Sequence, residues 1–373
     1  MRDFIKAFAL EYRTIFRNGG IMIVLVFAPL FYSLLYSSGY AKEVLYNVPI
    51  AVIDHSHTAS SREVIVRLNA SPYIYTAFQY GDILEAQKAL MERKIYGIVY
   101  IPKEFEKRIN SGNQAVVSLY CDAGYFLMYR QIMQGATGAI FSLNNSLAPQ
   151  LPVIYQSHTL FNPYLGYGTF IMPAVLIVIL QQTAMVAICM AGGVWRKERL
   201  YDRFSSSIVV TAAKVTVYCS ICAVIASYIL GIHYHIFGYP VCGSTADICG
   251  VIIPFILSTI LFAITLSTLF SRAEQPLMYL LWTSIPILLL SGASLPPQAF
   301  PQWMYILGKI FPSSSAVEAF IRVQTMGGTL DNVTSQTTTL WILSLIYSIT
   351  ATIAIKRRMP GRTTKSRTSN LLP

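Results

Sequence analysis

Residues 169–194 read TFIMPAVLIVILQQTAMVAICMAGGV, an apolar run without one charged side chain. A helix of about twenty apolar residues reaches across the hydrocarbon core of a bilayer, so this stretch reads as a membrane span and its chain as an integral, α-helical membrane protein. Five further runs have the same character: Ile21 to Gly39, Ile208 to Ile232, Val251 to Phe270, Pro276 to Ser291 and Leu340 to Ile355. Six transmembrane helices are therefore expected. Several carry proline, as at Pro173, Pro254 and Pro286, which a membrane helix tolerates where neighbours or Ser and Thr side chains take up the freed carbonyls; kinked spans are expected there. The composition agrees: only 12% of the 373 residues are charged, against roughly a quarter in soluble domains.

The net charge of +11 comes from Lys and Arg gathered at the ends of the apolar runs. Basic residues there stay on the cytoplasmic side during insertion, so the charge is topogenic and no nucleic-acid partner is implied. The N-terminal stretch, Trp195 to Arg203, Arg272, and Lys356 to Arg358 share one side, which is the cytoplasm. The loop from His233 to Gly250 holds no Lys or Arg, and Leu295 to Thr339 holds only Lys309 and Arg322; both belong outside. Phe4, Phe8, Tyr12 and Ile15 recur at helical spacing while Arg2, Lys6, Arg13 and Arg17 lie mostly around the other side. That pattern predicts an amphipathic helix in the inner membrane interface, leading into the first span. The first span is longer than a signal-peptide core and starts late, so residues 1–39 are read as interfacial helix and retained span. Lys214 lies near a cytoplasmic end and is expected to snorkel.

Residues 40–165 have ordinary charged composition and enough length to bury a core of their own. Strand-like runs at Val48 to Ile53, Tyr73 to Phe78, Tyr96 to Ile101 and Val116 to Tyr120 alternate with helical stretches at Ser60 to Leu68, from the Asp82 cap to Arg93, at Glu104 to Ile109 and from Tyr125. Such alternation predicts a layered α/β domain with a partly parallel sheet, placed outside the cell by the charge count. Asp54, His55 and His57 suggest a metal site, but further ligands at zinc-like spacing are missing and the cluster sits where a strand ends in a turn; it is read as a turn. There is no Gly-x-Ser-x-Gly nucleophile elbow, and the domain reads as a binding or docking module. Six cysteines are too few and too scattered for a disulfide scaffold. Cys219 and Cys222 lie within a span, whereas Cys242 and Cys249 fall in an outer loop where a bridge or free thiols are both open.

With this topology the chain resembles the type-2 ABC exporter permeases, in the branch with a large extracytoplasmic domain after the first span. The carriers are Val48 to Asp54, Tyr96 to Pro102 with Phe105, Phe161-Asn162-Pro163, Pro173, Ile179 to Gln182, Ser291-Gly292, Pro301-Gln302-Trp303 and Phe311 to Val317. The resemblance implies a bacterial inner-membrane export subunit with both termini cytoplasmic. It also implies a pathway formed with a second permease subunit, as homodimer or heterodimer, and an outer-side adaptor. Near 195–204 it implies a cytoplasmic coupling helix, with Arg196, Lys197, Glu198, Arg199, Leu200, Tyr201 and Asp202 facing an ABC ATPase subunit. Where the family commonly has Gly-Thr after the acidic residue, Leu200-Tyr201 stands. An outer re-entrant segment is implied over 295–327, and Phe300 to Ile310 and Ser314 to Met326 are indeed too short to cross a bilayer. Residues 166–356 thus hold five spans with these two segments, and 357–373 form a basic, disordered tail.

There is no Gly-x-x-x-x-Gly-Lys-Ser/Thr phosphate loop, so no cofactor is expected on this chain and ATP with Mg belongs to the partner subunit. An ion-coupled transporter, the alternative, would need charges buried at mid-membrane, and the spans hold almost none. A receptor built on the outer domain would usually carry fewer spans and a cytoplasmic output domain. Gln181 and Gln182 stand out as polar residues that either line a pathway or bond a neighbouring helix.

Overall fold

A computed structural model describes residues 1–41, 44–121, 126–147, 166–292 and 300–359. Helix α1 (Arg2–Arg17) ends at Asn18, whose side-chain oxygen accepts from the amides of Gly20 and Ile21 at 3.1 and 3.3 Å. That cap starts α2 (Gly19–Gly39), the first apolar helix. A π turn at Ile23–Phe27 interrupts α2 just ahead of Pro29, whose ring cannot donate to the ladder. The chain divides into two compact units, Met1–Ala41 with Gly168–Pro373, and Lys42–Tyr167.

The second unit contains β1 (Val48–Asp54), α3 (Ala59–Ala70), β2 (Ile74–Gln79), α4 (Ile83–Met91), β3 (Gly97–Ile101), α5 (Phe105–Asn110), β4 (Ser118–Cys121) and α6 (Phe126–Leu147). Its sheet has the order β2-β1-β3-β4, parallel except for the antiparallel β3–β4 pair. Strand β1 is central and covered on both faces, which is why it is apolar from Val48 to Ile53 rather than alternating. Val48, Ile50 and Val52 pack with Val64 and Leu68 of α3 and Ile132 of α6 on one face, while Ala51 and Ile53 meet Ala86 and Ala89 of α4 on the other. At the end of β1, Asp54 Oδ1 accepts from the amides of Ser56 and His57 at 2.9 and 3.1 Å, and its Oδ2 accepts from Ser61 Oγ at 2.7 Å. With Thr58 capping α3, the Asp-His-Ser cluster is a turn that launches a helix. Burial pushes the Cys121 thiol at the end of β4 up to about 11, so it stays protonated and inert near neutral pH.

The helical unit continues with α7 (Tyr167–Lys197), α8 (Ser207–Phe237), α9 (Thr245–Ser267), α10 (Gln275–Leu290), α11 (Gln302–Gly308), α12 (Pro312–Phe320) and α13 (Leu330–Lys356). Five helices among the described residues are long and apolar enough to cross a membrane: α2, α7, α8, α9 and α13. The sixth expected span, α10, falls short. At about 1.5 Å of rise per residue it reaches about 24 Å, less than the roughly 30 Å hydrocarbon core. It is broken by a 3-10 turn at Leu281–Thr283, where Pro286 withholds the N–H that would bond Trp282.

Helix α7 is buried on every side because it is central, which accounts for its uniformly apolar sequence. The outer linker expected from His233 shrinks to 238–244. Helix α8 runs on through a π turn at Tyr228–His233 to Phe237, because His233, Tyr234, Phe237 and Tyr239 pack on one another and His233 Nε2 sits 3.1 Å from the Ser33 carbonyl of α2. Short helices α11 and α12 occupy the place of the expected re-entrant segment, and α12 packs on α9 and α13. The expectations that rest on Phe161-Asn162-Pro163, on the first residues of the 295–327 segment (295–299), and on the tail beyond Met359 lie outside the described residues.

Candidate coupling site

The connection from α7 to α8 is a tight turn rather than one helix. Helix α7 stops at Lys197, Glu198 and Arg199 turn, and residues Leu200–Arg203 make a 3-10 turn before Phe204 extends. Arg199 is the hinge, with φ of 51° in the left-handed region, a conformation that costs a non-glycine residue about 1–2 kcal/mol. What holds it is the apolar base beneath. Trp195, Leu200, Tyr201 and Phe204 are all buried, with the Trp195 ring 5.1 Å from Tyr201 and 5.9 Å from Phe204.

Of the candidate coupling residues, Lys197, Glu198, Arg199 and Asp202 are exposed, as is Arg203. Arg196 is half-buried and donates to the Leu269 carbonyl at 3.4 Å. Leu200 and Tyr201 face inward and belong to the base of the turn rather than to its outer surface. Burial raises the Tyr201 phenol above its ordinary range and the Glu11 carboxylate pushes in the same direction, so it stays neutral.

Beneath that base lies a group that sequence reasoning missed. Lys214 of α8 is buried, correcting the expectation that it snorkels. Its Nζ lies 3.8 Å from the centre of the Trp195 ring and 2.6 Å from Glu11 Oε2 of α1, and Tyr218 donates to the other carboxylate oxygen. Lys214 is 2% exposed and Glu11 0%. A charge removed from water must be paired and hydrogen-bonded. Here both carboxylate oxygens are occupied, and the ammonium is shared between anion and aromatic face.

The pair also changes the reading of α1. Its buried stripe is Ala7, Glu11 and Ile15, whereas Tyr12 is exposed and Phe4 and Phe8 lie at the margin. At about 100° per residue the remaining surface splits into an exposed apolar stripe of Ile5, Tyr12 and Phe16 and a basic stripe of Arg2, Lys6, Arg13 and Arg17. The available signal was a single carboxylate four residues from both Ala7 and Ile15. It was matched on α8 by Lys214 and Tyr218, a polar pair at i, i+4 in an apolar run.

The same end of the bundle is closely packed. A Cβ on Gly192 would stand 2.5 Å from the Ser267 Cβ, and one on Gly193 would stand 2.5 Å from the carbonyl carbon and oxygen of Arg272. Two consecutive glycines therefore let the turn after α9 lie directly on α7, as small residues do between membrane helices.

Gln181 and Gln182 both bond neighbouring elements. Gln181 Nε2 donates to Ser313 Oγ at 3.0 Å and its Oε1 accepts from the Ser313 amide at 2.8 Å, so it holds the first turn of α12. Gln182 Nε2 donates to the Leu280 carbonyl at 2.6 Å in α10. Replacing Gln181 by Leu strands the Ser313 amide and hydroxyl in the core and should cost about 1–3 kcal/mol. The thermal midpoint in detergent reports this, and an unchanged midpoint would dismiss the bond as a stabilising contact. Cys242 and Cys249 are exposed free thiols.

A family model described as "ABC-2 family transporter protein" matches residues 19–353. The chain is 21% identical over 358 residues to the probable multidrug ABC transporter permease YbhR of Escherichia coli strain K12, a match that covers 92% of this chain and 95% of that protein. The protein of the same name from Escherichia coli O157:H7 matches with the same identity and coverage.

Proposed function

We propose, from the premise that this chain belongs to the ABC-2 family of transporter proteins, that it is the membrane-spanning permease subunit of an exporter driven by a separate ABC ATPase subunit. The observation that carries the reading is the α7–α8 turn. Lys197, Glu198, Arg199, Asp202 and Arg203 stand exposed on a base of buried aromatics, as a mixed-charge contact on a stiff support requires. ATP and Mg belong to the ATPase in this reading, since the chain has no phosphate-binding loop of its own.

The turn faces the cytoplasm, with the N-terminal helix and Lys356 to Arg358 on the same side, in keeping with the bias of Lys and Arg. The α/β unit then lies outside, and α10 completes six crossings of the inner membrane by thinning the bilayer or recruiting flanking residues. Two permease copies, or this chain and a related one, enclose the pathway, and an outer adaptor docks on the α/β unit. The name borne by the Escherichia coli relatives, probable multidrug ABC transporter permease, supports drugs as the class of cargo. An ion-coupled mechanism is disfavoured because both oxygens of Glu11, the carboxylate buried against the spans, are already bonded.

The test is co-purification from membranes of the native host that express a tagged form of this chain, with any ABC ATPase subunit recovered identified by mass spectrometry. Charge reversal of Glu198 with Arg199 should weaken recovery of the ATPase at least tenfold at physiological salt while the chain itself stays folded. Undiminished recovery would remove the turn from the interface.

A further inference from the structure

We infer that Glu11 and Lys214 are a positioning pair that locks the α7–α8 turn, helix α1 and span α8 into one body, so that a push on the turn is delivered to the outer end of α8. The inference rests on the permease reading and deepens it by naming where force enters the spans.

Three elements, one of them 203 residues away in the chain, meet at one ammonium group. Trp195 supplies the end of α7 and stacks with Tyr201 and Phe204 of the turn, Glu11 supplies α1, and Lys214 itself is part of α8. Tyr218, one turn further along α8, closes the second oxygen of Glu11. Lys214 sits about 10 Å into α8 from Ser207 at about 1.5 Å per residue, below the apolar base and not at the surface where the turn's charges are.

Apolar contacts alone would hold these helices together but let them slide, because dispersion and burial have no direction. An ion pair with both carboxylate oxygens filled fixes the register of α1 on α8, which is the best-attested use of buried ionic groups. The arrangement also explains why a costly buried charge is kept where leucine and methionine would pack as well. Sites communicate through elements that move as units, and this pair ties the turn and α1 to α8, one of the two membrane-length helices that the turn connects.

The experiment uses the full chain co-expressed with its ATPase subunit in lipid nanodiscs. The six native cysteines are replaced by serine and a reporter is introduced by I232C, near the outer end of α8, where Ile232 is exposed. The alkylation rate of the reporter by a maleimide is compared without nucleotide and after trapping with ATP and vanadate. With the native pair, trapping should change the rate several-fold. In E11L/K214M, whose apolar replacements preserve packing, ATP hydrolysis should persist while the change in rate disappears; K214R, which keeps cation and pairing, should restore it. E11Q, which retains shape and an acceptor for Tyr218, should give a reduced change and covers the case in which the double variant folds poorly. A full response in folded E11L/K214M or in E11Q would overturn the inference, since a merely structural role predicts that outcome. Absence of any nucleotide response with the native pair would overturn the permease reading beneath it.

Discussion

Replacing Glu11 by leucine alone is expected to cost about 3–5 kcal/mol of folding stability, whereas E11L/K214M together should be close to neutral. The single change leaves the Lys214 ammonium buried between the Trp195 face and an alkyl group, with no anion. The aromatic face offsets only about 2 kcal/mol of that desolvation. Lys214→Met alone should be damaging for the mirror reason, since Glu11 would keep only the Tyr218 hydroxyl. The double change removes both charges and fills the space with side chains of similar length, so neither desolvation cost remains. Thermal denaturation in detergent, followed by the fraction that stays monodisperse, separates the three variants. A single Glu11→Leu variant as stable as the native chain would mean that the pair carries no net energy.

The second large effect is steric. Gly193→Leu should prevent accumulation of folded protein, because even a Cβ at this position would stand 2.5 Å from the backbone of Arg272. Backbone cannot rotate aside as a side chain can, so α7 and the turn after α9 must separate. Overpacking of this kind costs about 1–3 kcal/mol where the neighbour yields, and more here because the neighbour is main chain. Gly193→Ala should already lower the thermal midpoint. Gly231→Ala in α8, where nothing lies within 4 Å of the added carbon, is the control and should hold the midpoint or raise it slightly, since Ala is favoured over Gly in a helix by about 0.5–1 kcal/mol. Equal behaviour of the two alanine variants would contradict the close approach.

The strands and helices of the α/β unit were legible because their signals are local. The β-branched run at Val48 to Ile53 and the Asp-His-Ser turn each act within a few residues, and the strands begin and end within two residues of where the sequence places them; Asp82 stands just before its helix as expected but makes no side-chain cap hydrogen bond there. The two glutamines were visible as polar interruptions of a span, but Ser313 lies 132 residues away, so their partners were not. Helix α1 was legible as amphipathic, yet the stripe facing the bundle is centred on Glu11 rather than on the aromatics. Hydrophobic periodicity ranks faces by greasiness and has no means of preferring a carboxylate whose cation sits on another helix. Leu200 and Tyr201 illustrate the same limit, being placed within a coupling segment but not on its inner side.

The amino-acid sequence alone determined that this chain crosses a membrane several times, carries one α/β unit and gathers positive charge at one set of helix ends. Those properties are sums over contiguous residues, and transfer into lipid responds to such sums. Only the tertiary structure decided that Lys214 is buried rather than snorkelling, that α10 is shorter than a full crossing, and that the end of α7, α1 and α8 meet at one ion pair. The reason is that desolvation of a charge is tolerated or not according to what stands within a few ångströms of it, and that neighbourhood exists only once helices far apart in the chain have packed.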